Sequence, residues 1–208
     1  MDYGLYVITD EGISHGLSHV EIARKVAEGG ADVIQLRDKA RTSKDMLSIA
    51  IQIKEITRSA GIRFIVNDRL DLARAADADG VHLGQEDLPV PFARRVAPKG
   101  FIIGTSVRTV QEALLAESEG ADYIALSPIF DTPTKSDAGP GKGLETLKEI
   151  KSAVSIPVIA IGGIGKGNVR QVMDAGADGV AVISAIVGQK DLIKATAEMR
   201  SLIYQKKK

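Results

Sequence analysis

The chain lacks cysteine, and that absence removes a whole range of chemistry. Without a thiol the protein can form no disulfide, no thiolate nucleophile and no zinc–thiolate site. The chain also lacks an excess of either charge, because 27 basic residues face 27 acidic ones. A balanced chain does not offer the basic surface that is typical of nucleic-acid binding.

Long apolar runs are missing as well. None approaches the roughly 18 residues that a membrane-spanning helix needs. The charged residues Asp2, Asp10 and Glu11 interrupt the start of the chain, which shows no signal-peptide pattern. We therefore expect a cytoplasmic protein that binds neither nucleic acid nor membrane.

The chain is long enough to bury one sizeable core. It has 208 residues, 44% of them hydrophobic, and we expect one domain over 1–208. Eight short apolar runs read as strands and alternate with helix-like segments, which predicts an α/β fold, a (β/α)8 TIM barrel. A doubly wound sheet is the rival, but it rarely needs eight strands. The predicted strands are 5–10, 33–38, 64–69, a run beginning at residue 80, 101–106, 123–128, 157–163 and 179–184; the predicted helices are 18–28, 42–60, 70–78, 91–97, 109–119, 144–153, 168–175 and 191–204.

A short motif recurs before every second strand. Gly-Ala-Asp or Ala-Asp-Gly occurs at 30–32, 78–80, 120–122 and 176–178. The spacing of about 45 to 55 residues is that of a repeated β-α-β-α unit. Favourable helix-to-strand turn chemistry, with glycine at the helix end, explains the motif equally well.

Two carboxylates follow neighbouring predicted strands, at the ends where a barrel carries its active site. Asp68 ends the third strand and Asp87 follows the fourth, so we expect them to come close together. Close carboxylates repel unless a proton or cation lies between them, and hard oxygen ligands suit Mg²⁺. Two plainer readings stay open: Asp68 as a helix N-cap and Asp87 as a turn residue.

Other polar side chains follow the second, third and fifth strands. Gln35, Arg37 and Lys39 are spaced by two, which places them on one side of an extended segment. A surface salt-bridge set with Asp38 is the alternative for this trio. His82 lies inside an apolar strand and is expected to be a hydrogen-bonded barrel residue rather than a base. The remaining polar candidates are Asn67, beside Asp68, and Ser106, a cap or a ligand contact.

The opposite side of the predicted mouth looks like a phosphate site. The loop at 130–143 carries Thr132, Thr134 and Lys135 before three glycines, which suggests a flexible cover. After strand seven, Gly162 and Gly163 allow backbone N–H groups to approach a ligand. After strand eight, Ile183 and Ser184 open a short helical turn, and loops seven and eight form the usual barrel phosphate site. Turn-forming glycines and a surface loop are the alternatives.

Seven motifs, in order along nearly the whole chain, resemble the thiamine-phosphate synthase family. They are Gln-Leu-Arg-Asp-Lys at 35–39, Val-Asn-Asp-Arg at 66–69, Gly-Val-His-Leu-Gly-Gln-Glu-Asp at 80–87, Gly-Thr-Ser at 104–106, Thr-Pro-Thr-Lys at 132–135, Ile-Gly-Gly-Ile at 161–164 and Val-Ile-Ser-Ala at 182–185. One departure is Asp131, at a position that is often proline, which changes loop stiffness and adds a negative charge.

The resemblance implies a transferase that joins an aminopyrimidine methyl diphosphate to a thiazole phosphate, giving thiamine phosphate and diphosphate by a dissociative, Mg²⁺-assisted route. It implies Mg²⁺ on Asp68 and Asp87, with Arg37, Lys39, Ser106 and Lys135 as catalytic groups. The pyrimidine diphosphate contacts that it implies are Gln35, Arg37, Lys39, Asn67, Ser106 and Lys135; the thiazole phosphate contacts are Thr132, Thr134, Gly163, Ile183 and Ser184.

Two other functions compete with this one. A thiazole tautomerase-like isomerase shares the barrel and the phosphate cradle, but it binds no diphosphate and does not need the aspartates or the basic cluster. A non-catalytic sensor of phosphate ligands is the second, although no partner surface is evident. We expect small-molecule substrates as partners, and the sequence leaves open whether the chain forms a homo-oligomer.

Overall fold

The computed structural model describes residues 3–132 and 139–205. Its eight parallel strands close into one barrel in chain order, with the last strand pairing with the first. The predicted (β/α)8 architecture is therefore confirmed. The strands are β1 (Gly4–Ile8), β2 (Val33–Leu36), β3 (Arg63–Asn67), β4 (Gly80–Leu83), β5 (Ile102–Val107), β6 (Tyr123–Leu126), β7 (Val158–Ile161) and β8 (Gly179–Val182).

The helices lie close to their predicted positions, and their starts follow the capping residues in the sequence. Ser18 forms a complete capping box with Glu21, and Thr42 and Thr109 cap the second and fifth helices. A 3-10 turn covers Glu11–Ile13. The helices are α1 (His19–Glu28), α2 (Ser43–Ala60), α3 (Leu70–Ala75), α4 (Val90–Val96), α5 (Val110–Ser118), α6 (Gly143–Ala153), α7 (Val169–Asp174), α8 (Ser184–Val187) and α9 (Leu192–Tyr204).

Apolar residues cover both faces of the strands, as expected of a parallel sheet whose helices lie outside. One cluster packs between strands and helices, and a second fills the barrel interior with residues such as Tyr6, Ile65 and Tyr123. The interior is thus a packed core, and ligands can reach only its ends.

The repeated aspartates form hydrogen bonds with backbone groups near the starts of the odd-numbered strands. Each accepts a hydrogen bond through its carboxylate from a backbone N–H of the preceding odd strand: Asp32 from Leu5, Asp79 from Phe64, Asp122 from Ile103 and Asp178 from Val158, at 2.7–2.8 Å. The backbone N–H of each aspartate donates to the carbonyl of that same residue. The motif therefore serves the end of the barrel opposite the active-site end, where such features contribute to stability.

Within the described ranges, no helix has both the length and the apolar character needed to cross a membrane.

Candidate active site

Two neighbouring cavities open at the carboxyl ends of the strands. One, of about 470 Å³, is charged and lies beyond β2 to β5. The other, of about 380 Å³, lies beyond β6 to β8. Ser127 lines both, so the two cavities adjoin. The charged cavity is lined by Arg37, Lys39, Asn67, Asp68, His82, Gly84, Gln85, Glu86, Asp87, Ser106, Arg108 and Ser127.

Asp68 and Asp87 come together in the charged cavity, as their positions after adjacent strands predict. The pKa of Asp68 is raised to about 6, mainly by burial and then by the Asp87 carboxyl within hydrogen-bonding reach, while the positive charges of Lys39 and Arg37 act in the opposite direction. The structure therefore holds two carboxylates that favour a shared proton or cation.

The backbone at Asp68 supports a functional rather than a capping role. Its φ is +61°, a left-handed conformation that is uncommon for a residue other than glycine and that recurs at functional sites. The next helix, α3, has Arg69 at its N-cap position and no side-chain cap. The reading of Asp68 as an N-cap is therefore wrong.

Asp87 does have the turn role that was considered for it. Its carboxylate accepts a hydrogen bond from the Gly84 N–H at 2.6 Å, and its own N–H donates to the Gly84 carbonyl. The same carboxyl lies within hydrogen-bonding reach of Asp68. The turn role of Asp87 is therefore compatible with a position in the site.

Arg37 and Lys39 point into the charged cavity and have no carboxylate within ion-pair distance among residues 3–132 and 139–205. The expected alternative, a salt-bridge set with Asp38, is wrong. Asp38 instead accepts hydrogen bonds from the Ala40 and Arg41 backbone N–H groups at 2.8 and 3.1 Å and pairs with the Arg41 guanidinium. Its turn leaves the two flanking cations available to an anion.

A buried histidine contacts the carboxylate of Asp38, the residue that forms this turn. His19 is 1% exposed, and its Nε2 lies 3.2 Å from the Asp38 carboxylate. Glu11 completes a group with these two whose ligand atoms lie within 4.8 Å of one another. The Arg41 guanidinium already bonds both carboxylates, at 2.5 Å to Glu11 and 3.1 Å to Asp38. The group thus reads as an ion-pair network that shapes the loop after β2.

Gln35 differs from its two neighbours in the motif. It is 2% exposed and donates a hydrogen bond from Nε2 to the Tyr6 hydroxyl at 2.7 Å, inside the barrel. Alternation places Gln35 on the barrel side of β2, whereas Arg37 and Lys39 lie beyond the strand end at the mouth. Its side chain lies in the layer beneath the charged cavity, beside His82 and Ser106.

His82 is hydrogen-bonded on both ring nitrogens, as its place in an apolar strand predicts. Its Nδ1 lies 3.0 Å from the Tyr123 hydroxyl and its Nε2 lies 2.9 Å from Ser106 Oγ. Ser106 is not a helix cap, because Thr109 caps α5. Ser106 therefore lines the charged cavity, and its hydroxyl is hydrogen-bonded to the buried His82.

The second cavity is lined mainly by glycine, alanine and aliphatic residues. Gly162 and Gly163 have φ of +102° and +64°, conformations that favour glycine. A Cβ on Gly163 would lie 2.7 Å from Phe130 Cβ, so a side chain there would displace the β6–α6 loop. Ile183 and Ser184 lead into the single-turn α8. The lining residues are Ser127, Asp131, Thr132, Ile161 to Gly165, Ala181 to Ala185 and Gln189.

The structure brings Thr132 to this second cavity beside Gly163 and Ser184. Thr134 and Lys135 lie outside the described residues. Asp131, expected to change loop stiffness and to add a negative charge, lines the cavity itself and accepts a hydrogen bond from the Gly141 N–H.

Sequence reasoning missed several lining residues. Arg108 brings a third cation to the charged cavity, two positions beyond Ser106 and on the same side of the extended chain. Its alternation with Ser106 was the available signal. Gln189 lines the second cavity from beyond α8, and nothing in its polar neighbourhood distinguishes it in the sequence. Tyr6 and Tyr123 read as core residues, and their hydroxyl partners depend on barrel closure.

Comparison with known proteins bears on this site. The family profile described as thiamine monophosphate synthase matches residues 5–186. The thiamine-phosphate synthase of Methanoculleus marisnigri is 60% identical over 203 residues, which covers 98% of this chain and 96% of that protein. The one of Methanocella arvoryzae is 56% identical, covering 99% and 97%.

A solved structure agrees with these sequences. Thiamine phosphate pyrophosphorylase from Pyrococcus furiosus has a TM-score of 0.90 and 46% identity, covering 97% of this chain and 95% of that one. A 3-hexulose-6-phosphate synthase, with a TM-score of 0.73 and 21% identity, shares the fold.

Proposed function

We propose, since the chain belongs to the thiamine-phosphate synthase family, that this enzyme joins an aminopyrimidine methyl diphosphate to a thiazole phosphate, releasing diphosphate. The observation that carries the proposal is the pair of adjoining cavities that share Ser127. A charged cavity beside one lined mainly by glycine, alanine and aliphatic residues suits two phosphorylated substrates that must meet at their reactive ends.

The charged cavity would receive the diphosphate. Arg37 and Lys39 form no ion pair within the described part of the chain, and Arg108 adds a third positive charge to the lining. Cations placed where negative charge develops stabilise the departing diphosphate. The family resemblance adds Lys135 to this set, and Gln35, Asn67 and Ser106 as further contacts of the pyrimidine diphosphate.

Asp68 and Asp87 fit a magnesium ion. Their oxygens are hard ligands, and the Asp87 carboxyl lies within hydrogen-bonding reach of Asp68, close enough for the two to share a cation; after burial, it is the next cause of the raised pKa of Asp68. With only two protein ligands, the remaining positions suit water and phosphate oxygens, as Mg²⁺ prefers. When bound, Mg²⁺ supplies charge neutralisation for the diphosphate.

The second cavity would receive the thiazole phosphate. Gly163 and Ser184 bring backbone to the cavity surface, with Ile183 between the strand end and α8. Backbone N–H groups bind phosphate oxygens without requiring a side-chain charge. By resemblance, Thr132 and Thr134 add hydroxyl groups from the β6–α6 loop.

The reaction needs no strong protein base. The methylene C–O bond breaks and diphosphate leaves with the electron pair; the aminopyrimidine ring stabilises the resulting methylene cation. The thiazole nitrogen then donates its lone pair to form the new C–N bond, so no proton has to be removed. This fits a site whose one lining histidine, His82, has both ring nitrogens hydrogen-bonded to the barrel. The chain's task is to bind, orient and exclude water.

The test is the stoichiometry of the reaction. Purified protein with both substrates and Mg²⁺ should release diphosphate and form thiamine phosphate in equal amounts, as measured by chromatography. A tautomerase would instead convert a thiazole phosphate isomer without releasing diphosphate, and a sensor would bind without turnover. Either result would overturn the proposal.

A further inference from the structure

A continuous chain of hydrogen bonds crosses the barrel interior and ends at the active-site mouth. Gln35 Nε2 donates to the Tyr6 hydroxyl at 2.7 Å, and the Tyr6 and Tyr123 hydroxyls lie 3.0 Å apart. The Tyr123 hydroxyl lies 3.0 Å from His82 Nδ1, and His82 Nε2 lies 2.9 Å from Ser106 Oγ. Four of its five members are buried, and the fifth, Ser106, lines the charged cavity.

The buried end of this chain fixes the direction in which its protons point. An amide NH₂ group can only donate, so Tyr6 must accept from Gln35. Within residues 3–132 and 139–205, the Tyr123 oxygen is the only hydrogen-bond acceptor left for the Tyr6 proton. Burial raises the pKa of both tyrosines above the usual range, so both keep their protons. Tyr123 must then donate to His82 Nδ1, because leaving its proton without an acceptor would bury an unsatisfied donor.

The direction carries through the imidazole to the serine. A neutral histidine that accepts at Nδ1 carries its proton on Nε2. That N–H donates to Ser106 Oγ, and the serine proton is left pointing into the cavity. If the Gln35 oxygen faced Tyr6 instead, each hydrogen bond in the series would run in the opposite direction. Ser106 would then donate its hydrogen bond to His82 and not to a ligand.

We propose that the Gln35–Tyr6–Tyr123–His82 chain sets the tautomer of His82 and thereby commits the Ser106 hydroxyl to donate a hydrogen bond to the substrate. His82, Tyr123 and Tyr6 are then positioning residues. Ser106 shares its cavity with Arg37, Lys39 and Arg108, so the acceptor it selects is an oxygen of the diphosphate. This assignment of the acceptor rests on the proposed function; the tautomer does not.

The barrel is built to hold this arrangement rigidly. A Cβ on Gly104 would lie 1.9 Å from Tyr123 Cζ, so β5 leaves just the room that the phenol ring needs. The Tyr3 ring packs against the other side, with centroids 4.8 Å apart. Tyr3 provides a matched control, since its buried hydroxyl takes no part in this series of hydrogen bonds and has no hydrogen-bond partner among the residues that the structure describes.

The tautomer can be measured without any substrate. In ¹⁵N-histidine-labelled protein at pH 7.5, long-range ¹H–¹⁵N spectra should show His82 as the neutral Nε2–H form. The chain has three histidines, and His82→Gln identifies the signals by their loss. Tyr123→Phe removes the group that holds Nδ1 as an acceptor and should give a mixture of tautomers, whereas Tyr3→Phe should leave the spectrum unchanged. An Nδ1–H form or an imidazolium in the wild type would overturn the proposal, as would a Tyr123→Phe spectrum identical to the wild type.

A binding cycle tests the consequence at Ser106. Affinity for inorganic diphosphate with Mg²⁺ should fall about tenfold in Ser106→Ala, the loss of one hydrogen bond to a charged group. It should fall about threefold in Tyr123→Phe and remain unchanged in Tyr3→Phe. The double variant Ser106→Ala/Tyr123→Phe should bind no more weakly than Ser106→Ala, because Tyr123 acts through the serine. Additive losses would show that it does not. Failure of the proposed function would be recognised separately. In that case the wild type would bind diphosphate but would release none when given both substrates.

Discussion

The Asp131 carboxylate accepts a hydrogen bond from the Gly141 N–H at 2.8 Å, which joins the two limbs of the β6–α6 loop where the loop leaves the barrel. The same side chain lines the second cavity, the one beyond β6 to β8. A position expected to alter loop stiffness therefore fastens the loop, and it places a negative charge beside a proposed phosphate site.

These two effects of Asp131 can be separated. Asp131→Asn keeps an acceptor for Gly141 and removes the charge, so the KM for thiazole phosphate should fall about two- to fivefold through lost repulsion. Asp131→Ala removes the fastening as well and should also lower kcat. Steady-state kinetics with varied thiazole phosphate measures both, and identical behaviour of the two variants would contradict the fastening role.

The metal assignment predicts a specific loss in Asp87→Asn. An asparagine oxygen can still accept from Gly84, so the turn and the fold should persist. Removing one carboxylate should weaken Mg²⁺ binding by calorimetry and reduce turnover about 100-fold, on the order of 3 kcal/mol in the transition state. The matched control is Glu86→Gln, in the same cavity lining, which should change little. Equal activity of Asp87→Asn and wild type across a Mg²⁺ titration would refute the assignment.

The network below the β2–α2 loop predicts a pH-dependent contribution to stability. Burial raises the pKa of Asp38, but hydrogen bonds from Ala40, His19 and Arg41 outweigh it and leave the pKa below its usual value. A lowered folded-state pKa stabilises the protein above the unfolded value of about 4, and the benefit is lost as pH falls through the lower value.

Asp38→Asn should therefore be less stable than wild type in urea at pH 7, by about 1–3 kcal/mol. The difference should begin to shrink as pH falls below about 4, where the carboxyl of the unfolded state takes up a proton, and should continue to shrink as pH falls through the lowered pKa of the folded state. A difference that stays constant down to pH 3 would show that charge at Asp38 does not stabilise the loop.

The hydrogen bonds made by the repeated aspartates are expected to stabilise the fold without affecting catalytic activity. Asp122 accepts from the Ile103 N–H and pairs with Arg94 at the end of the barrel opposite the cavities. Asp122→Ala leaves that N–H without a partner and should cost about 1–3 kcal/mol, a fall in Tm of several degrees for a chain of this size. Because the site lies at the other end, kcat at 25 °C should be unchanged; a kcat loss with unchanged Tm would contradict this division.

Much of this architecture could be predicted because local signals and the barrel agree. Ser18, Thr42 and Thr109 mark helix starts that the structure confirms. Asp68 and Asp87 could be placed together because parallel strands end at one edge. Strand alternation and strand order were therefore sufficient to bring Arg37, Lys39, Asp68 and Asp87 to one cavity, although they did not identify Arg108.

Side-chain partners across the barrel could not be predicted in the same way. Gln35, Tyr6 and Tyr123 are separated by up to 117 residues and meet only after the sheet closes. Asp38 was paired with its sequence neighbours, but a buried histidine from α1 competes for it. The strands and their ends follow from local pattern, whereas the hydrogen bonds within a closed core follow from register.

Calorimetry of two variants with two ligands tests whether the two adjoining cavities hold two different phosphorylated ligands. Arg37→Ala should weaken Mg²⁺-diphosphate binding about tenfold or more by removing one charged hydrogen-bond donor and leave thiazole phosphate binding unchanged. Ser184→Asp, which suits the first turn of α8 but repels phosphate, should do the reverse. If each variant weakens the binding of both ligands equally, the two cavities act as one site and the assignment of one ligand to each cavity is wrong.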